Sequence, residues 1–141
     1  MTAHVSIRAF ISKDIDAVID LLQDVSAYRP EAKTVPLLAQ SFTAREDCYA
    51  CVATQNCRLI GFGSVFILNR VRGGRTGIIE DVVVAADVRG KGVGRQIVHA
   101  LVTAARVRGC FKVSLEAAAS AQSFYTANGF EPGGQTMRIF L

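Results

Sequence analysis

The stretch IEDVVVAADVRGKGVGRQIVHALVTAARVR, Ile79 to Arg108, decides the fold. It opens with a strand, Ile78 to Val84, whose three consecutive valines suit a buried, pleated surface. Asp87 to Gly92 follows as a loop. From there Val93, Ile97, Leu101 and Ala104 recur at helical spacing, and Gly109 is placed to stop a helix over Val93 to Arg108. Lys112 to Glu116 is extended again. Strand, loop, long helix and strand make a β-α-β unit, which must cross over right-handed and leave its two strands parallel.

Chemistry concentrates where the loop meets the helix, at Arg89-Gly90-Lys91-Gly92-Val93-Gly94. Gly90, Gly92 and Gly94 remove side chains where a ligand could approach the backbone. Their N–H groups and the positive helix N-terminus make a pocket for an anion. Arg89, Lys91 and Arg95 add full positive charge. A pyrophosphate suits such a site. The Gly-Lys-Ser/Thr ending of a nucleoside-triphosphate loop is missing, and the glycine spacing differs from the dinucleotide-binding fingerprint.

Upstream, Val5 to Ala9 alternates apolar and polar residues as a first strand. Ser12 and Asp14 offer helix-capping chemistry ahead of an apolar stripe at Ile15, Val18, Ile19 and Leu22. Ser26 to Thr34 is a loop, and Pro36 opens a second short helix carrying Leu37, Leu38 and Phe42. Cys48 to Thr54 and Leu59 to Leu68 form a hairpin around Gln55-Asn56. Asn69 to Gly77 is a basic, glycine-rich second hairpin turn. Downstream, Ser120 to Asn128 is a helix ended by Gly129, Phe130 begins a last extended segment, and Gln135 to Leu141 is expected to close the sheet. With no repeat, linker or low-complexity tract, the pattern predicts one α+β domain over residues 1–141: a mostly antiparallel meander followed by the β-α-β unit.

Half of the 141 residues are hydrophobic, enough for a core without disulfides or metals. The net charge of +4 suits a protein that binds anions without choosing among them. No apolar run reaches the length of a membrane span, no leader layout opens the chain, and Ile139-Phe140-Leu141 is not a peroxisomal address. A cytoplasmic location with neither a membrane nor a nucleic-acid partner is the expectation. Helix-turn-helix, zinc-finger and RNA-binding aromatic motifs are missing. Cys48 and Cys51 lie three apart on a strand and so point to opposite faces, which makes free buried thiols the expectation rather than a zinc site. No metal is expected.

The run Glu80 to Val84 followed by Arg-Gly-Lys-Gly-Val-Gly resembles the GNAT acetyltransferase superfamily. Gly77 to Val82, Gly109-Cys110-Phe111-Lys112, and Phe124-Tyr125 with Asn128-Gly129-Phe130 are similar to its glucosamine 6-phosphate N-acetyltransferase branch, with the strong likeness over residues 77 to 130. The resemblance implies a central, twisted, mixed but mostly antiparallel sheet of six to seven strands flanked by about four helices. One splayed strand pair would receive acetyl-CoA as co-substrate. Pantetheine would pair with Val82, Val83 and Val84, and the pyrophosphate would lie on Arg89, Gly90, Lys91, Gly92, Val93, Gly94 and Arg95. Ser26, Glu80, Asp81, Phe111, Lys112 and Arg138 are implied to bind an amino sugar phosphate. The implied reaction is direct attack of the amine on the thioester in a ternary complex. Tyr125 would protonate or stabilise the leaving thiolate, and the Glu116 region would orient the amine. A homodimer is implied. Arg138 lies two positions before the usual C-terminal arginine, where Phe140 stands, and Ala121 replaces the usual Asn. Another amine, such as a protein lysine, a polyamine or an aminoglycoside, is the alternative acceptor.

Overall fold

The computed structural model describes residues 4–141; the stretch weighed for an N-terminal leader begins outside them. In chain order the elements are β1 (Ser6–Ala9), α1 (Ile15–Leu22), α2 (Val35–Thr43), β2 (Cys48–Gln55), β3 (Arg58–Asn69), β4 (Arg75–Val84), α3 (Val93–Val107), β5 (Cys110–Leu115) and α4 (Gln122–Ala127). The strands form one sheet in the order β1-β2-β3-β4-β5. The first three pairings are antiparallel and β4-β5 is parallel, as a crossover through α3 requires.

Among the described residues the sheet has five strands, not six or seven. Phe130 to Leu141 joins no strand. Pro132 lacks a backbone donor, and Gly134 sits at φ 125°, so the chain leaves α4 without an extended run facing β5. Met137, Ile139, Phe140 and Leu141 stand in solvent. Two boundaries also move. β4 starts at Arg75 because the preceding turn is tight, with Arg70 N–H donating to Gly74 O at 3.1 Å and Gly73 N–H to Arg70 O at 3.0 Å. β5 spans Cys110 to Leu115, which leaves Glu116 just past its end. The first hairpin turns at Asn56-Cys57, with φ of 51° and 63°, the mirror-image geometry that follows strand twist.

One face of the sheet packs on α3. Ile97 and Leu101 are fully buried there with Cys51, Val65 and Ile79, each large side chain worth about 1.5–3 kcal/mol of burial. Gly61 and Gly63 let the helix settle close to β3: a Cβ on Gly63 would meet Ile97 Cγ2 at 2.7 Å and Leu101 Cδ1 at 2.9 Å. The opposite face packs Val52, Phe62 and Val83 against Val18, with Phe10 and Phe42 closing the edge. The start of α1 is pinned by Asp14, whose buried carboxylate accepts Ile11 N–H at 2.9 Å and two hydrogen bonds from Arg8 at 2.8 and 2.9 Å. The expected capping role of Ser12 is not seen; its hydroxyl contacts Thr43 Oγ1 at 3.5 Å.

Candidate active site

Everything at this site follows from where β4 and β5 part. Their pairing runs from Arg75 with Cys110 to Ile79 with Leu115 and stops. Beyond it, β4 pairs only with β3, through Ser64 with Glu80, Phe62 with Val83 and Gly61 with Val84. Val82 and Val84 anchor the strand into the α3 core and Val83 into the α1 core, while the backbone edge facing β5 stays open. Unpaired strand edges inside a fold are costly unless something else pairs with them.

The open edge leads directly into the glycine loop. Gly90 and Gly92 have φ of 76° and 85°, a region only glycine enters without strain, and a Cβ on either would meet nothing within 4 Å. Gly92 is the N-cap of α3, so the first-turn N–H groups that follow it have no acceptor inside the helix. Lys91 and Arg95 make no ion pair among the described residues. Arg89 behaves differently. Its Nε donates to Val84 O at 3.1 Å and its guanidinium reaches Asp24 at 3.2 Å, so it straps the loop to the end of α1.

Tyr125 is brought to the same place by its neighbour. The Phe124 ring covers the α3 N-terminus, 3.3 Å from where a Cβ on Gly94 would lie, in a pocket shared with Val84. Tyr125 is half-buried between Phe124 and Phe130, with ring centroids 5.0 and 5.6 Å away in edge-to-face contact. Burial pushes its phenol above the ordinary tyrosine range. The hydroxyl therefore stays a proton donor at neutral pH.

The carboxylates lie at the mouth of the splay. The pairing of β3 with β4 shifts register between Phe62 and Ser64, and Asp81 at φ 58° is the extra residue of a β-bulge. Plain alternation would put Glu80 and Asp81 on opposite faces. The bulge instead sets Asp81 and Val82 together opposite Gly63 while Glu80 keeps its own partner Ser64, so strict alternation breaks between Glu80 and Val82. Burial raises the Glu80 carboxyl above its usual range, and the charges of Asp81 and Glu116 raise it further. Asp81 is raised by burial. Three carboxylates so arranged favour a cation or a set of hydroxyls as their partner.

The remaining expected substrate contacts are spread out. Lys112 pairs with Thr76, four residues and about 13 Å along the strand from Glu80. Phe111 packs beside Gly74 of the second hairpin. Ser26 lies in the loop after α1, where its Oγ accepts Tyr28 N–H at 3.2 Å, two residues beyond the Asp24 strap. Arg138 forms an ion pair with Glu116, which ties the tail to the splay from within the same chain.

This combination of fold and site has counterparts among known proteins. A profile of the acetyltransferase (GNAT) family matches residues 15–130. The chain belongs to the GNAT family. Its relatives include glucosamine 6-phosphate N-acetyltransferase 1 of Oryza sativa subsp. japonica, 36% identical over 118 residues, 75% of this chain and 72% of that protein. A second protein of that organism, a probable glucosamine 6-phosphate N-acetyltransferase 2, is 36% identical over 91 residues, 63% of this chain but 55% of its own length. The chain thus spans between about half and three quarters of these two relatives. The crystal structure of glucosamine-6-phosphate N-acetyltransferase from Arabidopsis thaliana superposes with a TM-score of 0.88 at 25% identity, covering 97% of this GNAT chain and 98% of that one.

Three residues of this GNAT site were not signalled as functional by the sequence. Ser64 is buried and donates its hydroxyl to Glu80 O at 2.9 Å, buttressing the bulge. A serine inside the apolar run of β3 was its only trace. Phe124 holds α4 on Gly94, and Asp24 anchors Arg89. Both are long-range contacts that no local pattern encodes. Among the described residues no group of three His, Cys, Asp or Glu could hold a metal ion. Cys48 and Cys51 do face opposite sides, and burial pushes their thiols up to about 11 and about 12.

Proposed function

We propose that this chain transfers the acetyl group of acetyl-CoA to the amine of glucosamine 6-phosphate, giving N-acetylglucosamine 6-phosphate and CoA on the route to UDP-N-acetylglucosamine. One observation carries the proposal: the open backbone edge from Glu80 to Val84 runs from a cluster of three carboxylates straight into the glycine loop at the α3 N-terminus. The names of the relatives support the amino sugar as acceptor.

Residue by residue, the open edge at Val82 to Val84 would pair with the pantetheine amides, the Val84 carbonyl being shared with Arg89. The amides of Gly90 to Arg95, with Lys91 and Arg95, would hold the pyrophosphate. Glu80, Asp81 and Glu116 would receive the sugar hydroxyls and amine, and Lys112, Phe111 and Ser26 would complete the sugar phosphate site. The free amine attacks the thioester carbonyl carbon. An open N–H of β4 donates to the carbonyl oxygen as charge builds there. The C–S bond breaks, and Tyr125 gives its proton to the departing sulfur. The amine's surplus proton leaves to water, and water returns a proton to the Tyr125 phenolate. A homodimer in the cytoplasm completes the proposal.

The observation that Glu116 holds Arg138 favours a second acceptor class. An arginine so engaged is a weaker phosphate ligand, which would suit an amine without a phosphate. A thiol-release assay with acetyl-CoA tests both. Turnover with glucosamine 6-phosphate and none with spermidine, aminoglycosides or lysine peptides is expected. The reverse pattern would reject the amino sugar.

A further inference from the structure

One side chain touches the open strand edge, the glycine loop and the end of α1 together. Arg89 stands at the head of the loop, its Nε donates to Val84 O at 3.1 Å, and its guanidinium meets Asp24 Oδ2 at 3.2 Å. Ala85 N–H donates to Ile60 O at 2.8 Å, so the N–H and C=O of Val84 itself turn away from β3. The carbonyl that Arg89 takes therefore lies on the open edge, in the path proposed for acetyl-CoA.

Asp24 belongs to a turn that is tied within itself. Its N–H donates to Leu21 O at 3.2 Å, and the N–H groups of Val25 and Ser26 both donate to Leu22 O, at 2.9 and 3.1 Å. Gln23 Nε2 donates to Ile19 O at 3.1 Å and to Tyr28 O at 3.3 Å, and Ser26 Oγ accepts Tyr28 N–H. Residues 23–28, Ser26 included, are thus held to Asp24 as one unit. The loop has a separate anchor in Asp87, which accepts two hydrogen bonds from Arg58 at 2.7 and 2.8 Å. Among the described residues no other ion pair joins α1 or the turn after it to the loop.

The Arg89 and Asp24 side chains are 54% and 53% exposed, so water screens their attraction. A ligand laid along the open edge beside Val84 O removes part of that water. The bridge is then stronger with the ligand bound than without it, which is the difference a coupling between two sites requires.

We propose, on the acetyl-transfer reading of this site, that Arg89 and Asp24 are positioning residues that couple its two halves. Acetyl-CoA on the open edge tightens the bridge, and the bridge fixes the 23–28 turn, with Ser26, for the acceptor.

Hydrogen exchange of the whole chain, with and without acetyl-CoA, reads this coupling before any acceptor is added. In the wild type, acetyl-CoA should slow exchange at residues 24–28 by about threefold. Asp24→Asn should lose that slowing, keep the protection of the glycine loop, and bind acetyl-CoA within about twofold of wild type, because Arg58 still holds the loop. Asp24→Glu, which keeps the charge, should recover most of the slowing. With glucosamine 6-phosphate as acceptor, Asp24→Asn should raise KM for the amine about threefold and leave KM for acetyl-CoA within about twofold. A wild type that binds acetyl-CoA without slowing at residues 24–28, or an Asp24→Asn chain that keeps the slowing, would overturn the coupling and leave acetyl transfer standing. A wild type that does not bind acetyl-CoA would overturn both. Slowing without turnover of glucosamine 6-phosphate would uphold the coupling and reject that acceptor alone.

Discussion

The Ser64 hydroxyl donates to the main-chain carbonyl of Glu80 at 2.9 Å, at the register step where Asp81 bulges out of β4. A fully buried side chain on the central strand thereby sets the attitude of the carboxylates at the mouth of the site. Ser64→Ala should cost about 1 kcal/mol of stability, measured by urea unfolding. It should raise KM for the amine several-fold while leaving KM for acetyl-CoA alone. Equal effects on the two constants would mean that Ser64 acts only on the fold.

Gly94→Ala tests the contact that carries Tyr125 to the loop. The new methyl group would sit 3.3 Å from Phe124 Cζ, so either the ring or α4 must give way. Stability should fall by about 1 kcal/mol, and kcat should fall together with acetyl-CoA affinity. A variant that keeps both constants would detach Phe124 from any role at the site.

Tyr125→Phe removes the hydroxyl proposed as proton donor and keeps the ring packing with Phe124 and Phe130. Turnover should drop by about a hundredfold with unchanged acetyl-CoA affinity. Because burial raises the phenol pKa, the wild-type rate should hold through mildly alkaline pH and decline only above the ordinary tyrosine value of about 10. A rate that falls off below that point would assign the titration to another group.

Asp14 supplies a pH dependence of stability. Hydrogen bonds from Arg8 hold its carboxyl below the usual range, with Ile11 N–H adding to the effect. A folded-state pKa below the unfolded one makes the contribution complete above the unfolded value of about 3.9, and it is lost as pH falls through the folded value. Arg8 is partly exposed, so solvent screening limits the worth of the pair to about 1–2 kcal/mol. Asp14→Asn should therefore melt lower than wild type at neutral pH, and the gap should close in strong acid. A gap that is constant with pH would indicate lost packing instead.

The β-α-β unit and its loop were legible because their determinants are local: a valine run, three glycines and an apolar stripe of period 3.6. The hairpins were legible for the same reason, to within a residue or a few. What escaped depends on distant partners. The bulge at Asp81 arises from a register shift opposite Gly63, which alternation cannot foresee. Arg89 reads as a phosphate ligand in the sequence, and only the fold shows Asp24 beside it. The tail from Gln135 has a strand-like composition, but a strand requires an edge to pair with, and Pro132 and Gly134 turn the chain elsewhere.

The parallel pairing of β4 with β5 has a consequence for how the chain reaches its native state. Antiparallel neighbours in this sheet meet across short turns, but β5 can meet β4 only after the fifteen-residue α3 has formed and swung back. Closing that longer loop is the expected late event of folding. Catalytic competence should therefore be gained last: in stopped-flow refolding, recovery of acetyl-CoA binding should trail the return of the far-ultraviolet signal, and simultaneous recovery would contradict this order.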